Sequence, residues 1–204
     1  MNDNQLNQIW KSDFGNEYTK RKMQTHHQEE LLREDFWKEL PCNFKFNSVL
    51  EIGCNAGLNL NALAKHHPNL KISAIEPNSY AFEVISQTSN GSYGLYNCSV
   101  AEMPIDLKAD LVFACTVLIH VHPNNLNHVL DKMFDASDKY ILIMEYYWPF
   151  EKEIIYRGLS DALWKRDYGA IFLNRYDVKV VETGYLDQRD GFDRVTWWLF
   201  EKNR

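Results

Sequence analysis

Two glycines and one acidic residue mark the part of this chain that is best suited to bind a nucleoside. The apolar run Val49–Ile52 leads into Gly53-Cys54-Asn55-Ala56-Gly57, and an amphipathic segment follows. This order is typical of a strand, a tight loop and a helix whose N-terminal amides attract an anion. Glu76 ends the next predicted strand, where a carboxylate can accept hydrogen bonds from both hydroxyls of a ribose.

The loop differs from the loop of dinucleotide-binding proteins. Leu58 stands where the last glycine of Gly-x-Gly-x-x-Gly belongs, and Asn55 replaces a glycine in the middle of the turn. Asparagine tolerates a positive φ, so the turn can still form. The glycine spacing, with a predicted terminal hairpin, favours S-adenosylmethionine over a nicotinamide cofactor. A bare Gly-x-x-x-Gly turn is also common where nothing binds, so the surrounding elements have to support this interpretation.

Five strand–helix units and a final hairpin are predicted around the loop. Strands are predicted at 49–52, 71–75, 94–98, 109–116 and 140–145, helices at 58–66, 80–88 and 124–134, and further strands at 177–185 and 194–201. The charged, aromatic segment 151–174 is also predicted to be helical. We therefore expect an α/β fold with a doubly wound, seven-stranded, mostly parallel sheet. A C-terminal antiparallel hairpin and an N-terminal helical segment complete it.

Polar and reactive residues follow the carboxyl ends of these predicted strands, the edge at which open α/β sheets bind their ligands. A chain without a site would scatter such residues, so their clustering supports one cofactor site at this edge. The predicted cofactor contacts at the strand ends are Glu51, Gly53, Cys54, Asn55, Gly57, Glu76, Pro77, Ser99, Val100, Thr116 and Leu118.

Three residues are candidates for the catalytic chemistry. Methyl transfer from a sulfonium is an in-line displacement, and a hydroxyl or amine acceptor must also lose a proton. His120 is the first candidate base because the pKa of a free histidine lies near neutrality, although it could instead fix its loop by hydrogen bonds. Glu145, followed by Tyr146, is the second, because an acid ending an apolar strand is costly unless it faces the ligand pocket. We predict no metal, since His120 and His122 lack a third ligand at suitable spacing.

Length and composition limit the classes of protein that remain. The chain has 204 residues, of which 45% are hydrophobic and 25% charged, as expected for one globular domain. A net charge of −6 without a Lys/Arg run disfavours nucleic acid as a partner. No apolar run is long enough to span a membrane, and the N-terminus is polar, so we expect a cytoplasmic protein. Its four cysteines are far apart and are expected to be reduced.

Several longer motifs run from one end of the chain to the other. They are Trp10-x-x-x-Phe14-Gly15-x-x-Tyr18-x-x-Arg21, Leu50-Glu51-Ile52-Gly53-Cys54-Asn55-x-Gly57-x-Asn59-Leu60, Val117-Leu118-Ile119-His120-x-x-Pro123, Glu145-Tyr146-Tyr147-x-Pro149, and Tyr156-Arg157-Gly158 with Lys165-Arg166-Asp167-Tyr168-Gly169. On these motifs the chain resembles class I S-adenosylmethionine-dependent methyltransferases, which have a Rossmann-like fold. More narrowly, it is similar to the pseudaminic-acid-biosynthesis-associated methylases. It departs from that family at Lys22, where Asn is usual, and at Thr116, where Gly is usual.

The resemblance implies a division of the single domain into four parts. Residues 1–47 would form a lid, with Trp10 and Tyr18 closing over the cofactor and Arg21 reaching its carboxylate; alternatively, the aromatics only cover the helix layer. Residues 48–146 would be the cofactor-binding core and 177–204 the terminal hairpin. Residues 147–176 would form an acceptor cap; alternatively, they form a solvated helix. The implied substrate ligands are Tyr147, Tyr156, Arg157, Lys165 and Arg166.

The resemblance also implies a substrate class. We expect O-methylation of a small acidic acceptor, a sugar or nonulosonic acid or a nucleotide sugar. Alternatives are a methyltransferase of another small metabolite, a nicotinamide-dependent oxidoreductase, and a catalytically silent S-adenosylmethionine-binding module. The oligomeric state is not predicted.

Overall fold

The computed structural model describes residues 3–203 and contains six α-helices and nine strands in that range. In chain order they are α1 (Asp3–Lys11), α2 (Asp13–Asn43), β1 (Ser48–Ile52), α3 (Leu58–His66), β2 (Lys71–Ile75), α4 (Ser79–Ser89), β3 (Gly94–Tyr96), β4 (Ala109–Cys115), α5 (Pro123–Ala136), β5 (Ser137–Glu145), β6 (Lys152–Glu153), β7 (Trp164–Lys165), α6 (Tyr168–Arg175), β8 (Val178–Leu186) and β9 (Val195–Lys202). Single turns of 3₁₀-helix lie at Val100–Glu102, Leu118–His120 and Gln188–Asp190.

Seven of the strands form one sheet in the order β3-β2-β1-β4-β5-β9-β8. The first five are parallel, and β9 runs antiparallel to both β5 and β8. The predicted doubly wound sheet with a reversed terminal hairpin is confirmed. The chain moves outward from β1 to β3 and then returns to place β4 beside β1. In an open sheet, the crevice between the carboxyl ends of two such strands is where ligands bind.

The two faces of the sheet carry separate hydrophobic layers. Successive residues of β4 alternate between them: Val112 and Ala114 pack with α5 and α6, while Leu111 and Phe113 pack with α2 and α3. All four side chains are fully buried. Because helices cover both faces, the central strands consist of continuous apolar runs rather than alternating ones, which is why the sequence pattern located them.

The segment 151–174 differs from the prediction. It is not a continuous helix: β6 and β7 pair as a short antiparallel hairpin, and helix begins only at Tyr168. Arg157, Gly158 and Asp161 all have positive φ, a conformation that a right-handed helix excludes. The charges and aromatics of this segment lack helical periodicity, so composition alone misled the prediction.

Between residues 3 and 203, none of the helices has the length and apolar character needed to cross a membrane.

Candidate active site

A cavity of about 410 Å³ lies at the carboxyl ends of the parallel strands. This volume is within the roughly 300–1,000 Å³ that is usual for small-molecule sites. Its walls come from both N-terminal helices, from the loops after β1, β2, β4 and β5, from the segment between β6 and β7, and from the β8–β9 loop. The sheet edge that was predicted from the strand ends is therefore a single concave site.

The loop after β1 depends on three residues with positive φ. Gly53, Asn55 and Gly57 have φ values of 69°, 48° and 83°. A Cβ atom on Gly53 would lie 2.8 Å from Val117 Cγ2, and one on Gly57 would lie 2.7 Å from Ile85 Cδ1. Both glycines are therefore required by conformation and by close packing, and asparagine adopts the positive φ that the sequence predicted for it.

Glu76 joins the loops after β1 and β2. Its Oε2 accepts the amide hydrogen of Asn55 at 2.8 Å, and its Oε1 accepts that of Asn78 at 2.8 Å. The side chain is buried yet lines the cavity. Burial raises its pKa to about 7, and the two amide hydrogens partly oppose this. Each carboxyl oxygen retains a further lone pair, so the group can accept two more hydrogen bonds from a ligand.

Glu51 presents an unpaired oxygen to the site. Its Oε1 accepts a hydrogen bond from Asn59 Nδ2 at 2.7 Å, whereas Oε2 is buried without a partner in the described part of the chain. The residue is 2% exposed and lines the cavity, and burial raises its pKa to about 8. A buried polar atom without a partner requires an explanation. A cationic ligand group beside Oε2 would supply one.

Two further residues that the sequence did not single out as ligands support Glu51. Arg33 Nη1 donates to Asn59 Oδ1 at 2.5 Å, and Arg33 Nε donates to the carbonyl of Gly191 at 2.9 Å. Arg33 and Asn59 also line the cavity. Asn59, in the first turn of α3, was a usable signal because a buried amide is costly there without polar partners. Nothing in the sequence marked Arg33 as a site residue, because it reaches the cavity only through the packing of α2.

The N-terminal helices are hydrogen-bonded to the loops after β1 and β2. Asn55 Nδ2 donates to Thr19 Oγ1 at 2.9 Å. Asn78 Nδ2 donates to the carbonyl of Trp10 and to Asn16 Oδ1, both at 2.9 Å. The α1–α2 segment is thus seated on the same loops that Glu76 organises.

Aromatic side chains of this N-terminal segment line the cavity. The ring of Trp10 lies 5.4 Å from Phe14, 5.5 Å from Tyr18 and 4.7 Å from His120, measured between centroids. Trp10 and Tyr18 are wall residues, and their closing over a cofactor stays a prediction. Arg21 is not a wall residue, and its Nη2 atom is buried without a partner in residues 3–203. Its contact with a cofactor carboxylate stays a prediction.

The predicted roles of Glu145 and Arg166 are corrected by their placement. Glu145 is 0% exposed and does not line the cavity. Its carboxyl group accepts the amide hydrogens of Val117, Leu118 and Ile119 at 2.9, 2.7 and 3.3 Å. It therefore cannot face a substrate as a base, because its oxygens are used to hold the turn after β4.

Arg166 holds the other end of the same turn. It is 1% exposed, and its Nη1 and Nη2 donate to the carbonyls of Leu118 and Val121 at 3.4 and 3.3 Å. It is not a wall residue and cannot bind substrate there. Leu118, predicted to contact the cofactor, belongs to the hydrophobic core instead, because the turn directs it away from the cavity.

His120 lies on this clamped turn and lines the cavity. Its Nδ1 is 2.7 Å from the carbonyl oxygen of Ala162. A carbonyl only accepts, so Nδ1 carries the hydrogen and Nε2 keeps a free lone pair. Burial lowers the pKa of His120 to about 4, although the bond to Ala162 opposes the shift. The imidazole is therefore neutral at pH 7. The bond supports the loop-fixing role, and the free Nε2 is compatible with the base.

Three predicted site residues, Tyr146, Tyr156 and Arg157, line the cavity, and their part of the wall is the predicted acceptor side. Tyr147 and Lys165 do not line the cavity: Tyr147 is exposed, and Lys165 Nζ lies 5.5 Å from the centroid of the Tyr146 ring. Because neither residue lines the cavity, their binding of substrate stays a prediction. The remaining predicted residues in the wall are Cys54, Pro77, Ser99, Val100 and Thr116. Gly57 shapes the loop without lining the wall.

Asp193 was not among the site residues predicted from the sequence. It lies in the β8–β9 loop, lines the cavity and accepts a hydrogen bond from the hydroxyl of Tyr146 at 2.5 Å. The predicted turn between the last two strands was a usable signal, since its acids fall at the open edge of the sheet. Within residues 3–203, no three His, Cys, Asp or Glu side chains converge on a point where a metal ion could bind.

These features fit a nucleoside that carries an amino acid. Glu76 can accept from ribose hydroxyls, the unpaired oxygen of Glu51 suits an ammonium, and the N-terminus of α3 suits a carboxylate. A pyrophosphate would instead bring negative charge towards two buried carboxyl groups.

The chain is similar to known methyltransferases, in sequence over part of its length and in fold over nearly all of it. Residues 50–137 match a family described as a methyltransferase domain, and no match to a curated protein is found. Among solved structures, the chain is similar to Burkholderia thailandensis 1,6-didemethyltoxoflavin-N1-methyltransferase with bound 1,6-didemethyltoxoflavin and S-adenosylhomocysteine (12% identity, 100% of this chain and 92% of that chain, TM-score 0.77). It is also similar to magnesium protoporphyrin IX methyltransferase from Synechocystis PCC 6803 with bound S-adenosylmethionine (12% identity, 98% of this chain and 97% of that chain, TM-score 0.71).

A third similar structure is the N-terminal domain of EvdMO1 in the presence of S-adenosylhomocysteine and D-fucose (17% identity, 84% of this chain and 83% of that chain, TM-score 0.63). At these identities the structures establish the fold. The match of residues 50–137 to a methyltransferase domain and the class I fold of the whole chain together support an S-adenosylmethionine-dependent methyltransferase.

Proposed function

We propose that the protein methylates an oxygen of a small acidic acceptor, a sugar or nonulosonic acid or a nucleotide sugar. The observation that carries this proposal is the position of Arg157, a wall residue of the cavity on its acceptor side. Within residues 3–203 its guanidinium has no carboxylate partner, and it lies 5.7 Å from the centroid of the Tyr156 ring. A guanidinium in this position can bind a carboxylate or phosphate through two parallel hydrogen bonds.

The other cations of the cavity wall already have partners. Lys22 Nζ is paired with Glu29 at 3.2 Å, and Arg33 donates to Asn59 and to the carbonyl of Gly191. Arg157 is therefore the wall cation best placed to recognise an anionic acceptor.

The walls around Arg157 are aromatic, which suits the face of a sugar ring as well as the exclusion of water. Tyr156 lies 4.9 Å from His120 and 6.4 Å from Trp10, measured between ring centroids. S-adenosylmethionine supplies an electrophilic methyl group when bound. The protein's task is then to align the acceptor oxygen and to keep water out. The neutral imidazole of His120 can accept a hydrogen bond from the acceptor through Nε2.

One structural comparison and the motif resemblance favour a carbohydrate acceptor. The chain shares its fold with a domain that was solved in the presence of D-fucose, and it is similar in its motifs to the pseudaminic-acid-associated methylases. The other similar structures act on a porphyrin and a toxoflavin precursor. A small metabolite of another class is therefore the second candidate, because aromatic walls also suit a flat ring system.

The test is methyl transfer from radiolabelled S-adenosylmethionine to matched pairs of acceptors. The anionic acceptors glucuronic acid, N-acetylneuraminic acid and UDP-glucose are compared with the neutral sugars glucose and N-acetylmannosamine. Glucose is the neutral counterpart of both glucuronic acid and UDP-glucose. We expect label on the acidic members only, and label on the neutral members alone would refute the acidic acceptor. Cofactor binding without transfer to any acceptor would favour the silent binding module.

A further inference from the structure

Asp193 and Tyr146 meet at the acceptor end of the cavity, although they come from different elements. Strand β9 pairs with β5 in a register that sets Thr196 opposite Glu145. The residues that precede β9 therefore lie beside those that follow β5. Tyr146 donates its hydroxyl hydrogen to Asp193 Oδ2 at 2.5 Å, and both residues line the cavity.

The strand order separates this pair from the ribose anchor. Glu76 follows β2, and the glycine loop follows β1, whereas Tyr146 follows β5 and Asp193 precedes β9. In the sheet, β4 stands between these two groups of strands. A nucleoside anchored at Glu76 and extending towards β4 has its reactive end next to Tyr146, with the acceptor beyond it.

The two side chains are suited to move a proton. Because the Tyr146 hydroxyl donates to Asp193, its oxygen keeps lone pairs that can accept a hydrogen bond from an acceptor group. Burial and the neighbouring Asp193 raise the pKa of Tyr146 far above its usual value, so the phenol gives its proton to Asp193 only as its oxygen takes one from the acceptor. Asp193 is exposed to solvent and can pass a proton to water.

We propose that Tyr146 and Asp193 form a proton relay for the acceptor, with Tyr146 as the catalytic residue that touches it. As the bond between the acceptor oxygen and the methyl carbon forms, the sulfur–methyl bond breaks and its electron pair stays on sulfur. The acceptor proton passes to the Tyr146 oxygen, and the Tyr146 proton passes to the Asp193 carboxylate, which releases it to water. This deepens the proposed function, since it rests on an acceptor that carries a proton, but it does not depend on the acceptor being acidic.

His120 is less suited to this role. Within residues 3–203 the only group hydrogen-bonded to its ring is the carbonyl of Ala162, so a proton taken up at Nε2 has no carboxylate to pass to. Burial also disfavours the charged ring. We assign it to positioning the acceptor.

The relay can be tested without knowing the acceptor. Sinefungin is an analogue of S-adenosylmethionine in which an amine-bearing carbon replaces the methylsulfonium, so its ammonium occupies the position of the transferred methyl group. S-adenosylhomocysteine lacks that group. The dissociation constants of both ligands are measured by calorimetry for the wild type, Asp193→Asn and Tyr146→Phe. Asp138→Asn and Tyr185→Phe are matched controls, because both residues are exposed and neither lines the cavity.

We expect both relay variants to weaken sinefungin binding about tenfold, the effect of losing one charge-assisted hydrogen bond. S-adenosylhomocysteine binding should be unchanged, and both controls should resemble the wild type. Unchanged sinefungin binding would overturn the proposal, because the pair would then lie away from the methyl position. Equal losses for both ligands would also overturn it, because Asp193 would then bind the amino-acid part of the cofactor. Tyr146→Phe, which retains the packing of the ring, keeps the test valid if Asp193→Asn fails to fold. None of these outcomes depends on whether the acceptor is acidic.

Discussion

Glu145 Oε1 accepts the amide hydrogen of Leu118 at 2.7 Å, in a position with no exposure to solvent. With Arg166 bound to the carbonyls of Leu118 and Val121, the two charged residues hold both ends of the single turn that carries His120. From the sequence, Glu145 was predicted to be a catalytic residue and Arg166 a substrate ligand. In the structure both residues instead hold the backbone of the turn that carries His120. The first prediction follows from this structural role.

Glu145→Gln should destabilise the protein without changing any group in the cavity wall. An amide offers one acceptor oxygen and directs its NH₂ at the backbone amides of the turn, leaving at least one of them unpaired. The expected loss is about 1–3 kcal/mol in the free energy of unfolding, measured by urea denaturation. Glu182→Gln, at an exposed position of β8, is the control. Equal stability of the two variants would mean that Glu145 does not hold the turn.

Binding of S-adenosylhomocysteine at pH 7 should release a proton from Glu51. Burial raises the pKa of Glu51 to about 8 in the free protein, so the group is largely protonated at pH 7. A ligand ammonium beside its unpaired oxygen favours the carboxylate. Calorimetry in phosphate and in Tris, which differ in ionisation enthalpy, measures this proton. Glu51→Gln should reduce the buffer dependence to the part that Glu76 contributes, because the pKa of Glu76 is also raised, to about 7. A wild type without buffer dependence would contradict the ammonium assignment.

The same raised pKa sets the pH dependence of stability. The acid has a pKa near 4.5 in the unfolded chain and about 8 in the folded one, so the folded state binds the proton more tightly between these values. The stability that Glu51 contributes to the folded state is therefore fully present below about pH 4.5 and is lost as the pH rises towards 8. Urea denaturation of the wild type should show this loss, and Glu51→Gln should reduce it.

Glu76→Ala should remove the stabilisation that the cofactor product gives. At ~100 times its dissociation constant, S-adenosylhomocysteine should stabilise the wild type by ~2.7 kcal/mol, measured as a shift in thermal unfolding. The variant loses both the ribose acceptor and the anchor of the Asn55 amide. Glu83→Ala, at an exposed position of α4, should retain the full shift. A normal shift in Glu76→Ala would show that the ribose binds elsewhere.

Arg157 and Arg166 should respond differently to the same substitution. Arg157→Ala should fold, bind S-adenosylhomocysteine normally and lose turnover of an acidic acceptor, because its side chain lies exposed at the cavity wall. Arg166→Ala should be destabilised by about 1–3 kcal/mol or more, because buried carbonyls lose their donors. Urea denaturation and steady-state kinetics separate the two effects. If Arg157→Ala is the unstable variant, its role is structural and the acidic-acceptor proposal loses its support.

His120 should stay neutral throughout the physiological pH range. Its pKa of about 4 predicts that the imidazole gains its second proton only in strong acid, whereas the unfolded chain gains it near pH 6.5. Stability linked to this residue is therefore present above pH 6.5 and is lost as the pH falls towards 4. NMR titration of the ring nitrogens, assigned with His120→Asn, measures the pKa. A midpoint near 6.5 would show that the ring is solvated and free of Ala162.

The sequence determined the elements and their order, because apolar runs, turn residues and loop glycines act locally. Helix α3 and strand β2 have the predicted bounds, and the glycine loop has the predicted backbone. Since parallel strands end at one edge of a sheet, the strand ends also located the site. The segment 151–174 escaped prediction because its hairpin depends on positive φ values that composition does not encode.

Tertiary structure decided what each residue at that edge does. Glu145 and Tyr146 are adjacent in the chain, yet one turns beneath the loop after β4 and the other lines the cavity. Tyr146 meets Asp193 across a sequence separation of 47 residues, through the pairing of β9 with β5. The position of a strand end in the sequence identifies the edge of the sheet at which a residue lies. It does not identify the direction in which the side chain points. That direction depends on which distant backbone or side-chain groups are close enough to form a hydrogen bond, and only the packed chain brings them there.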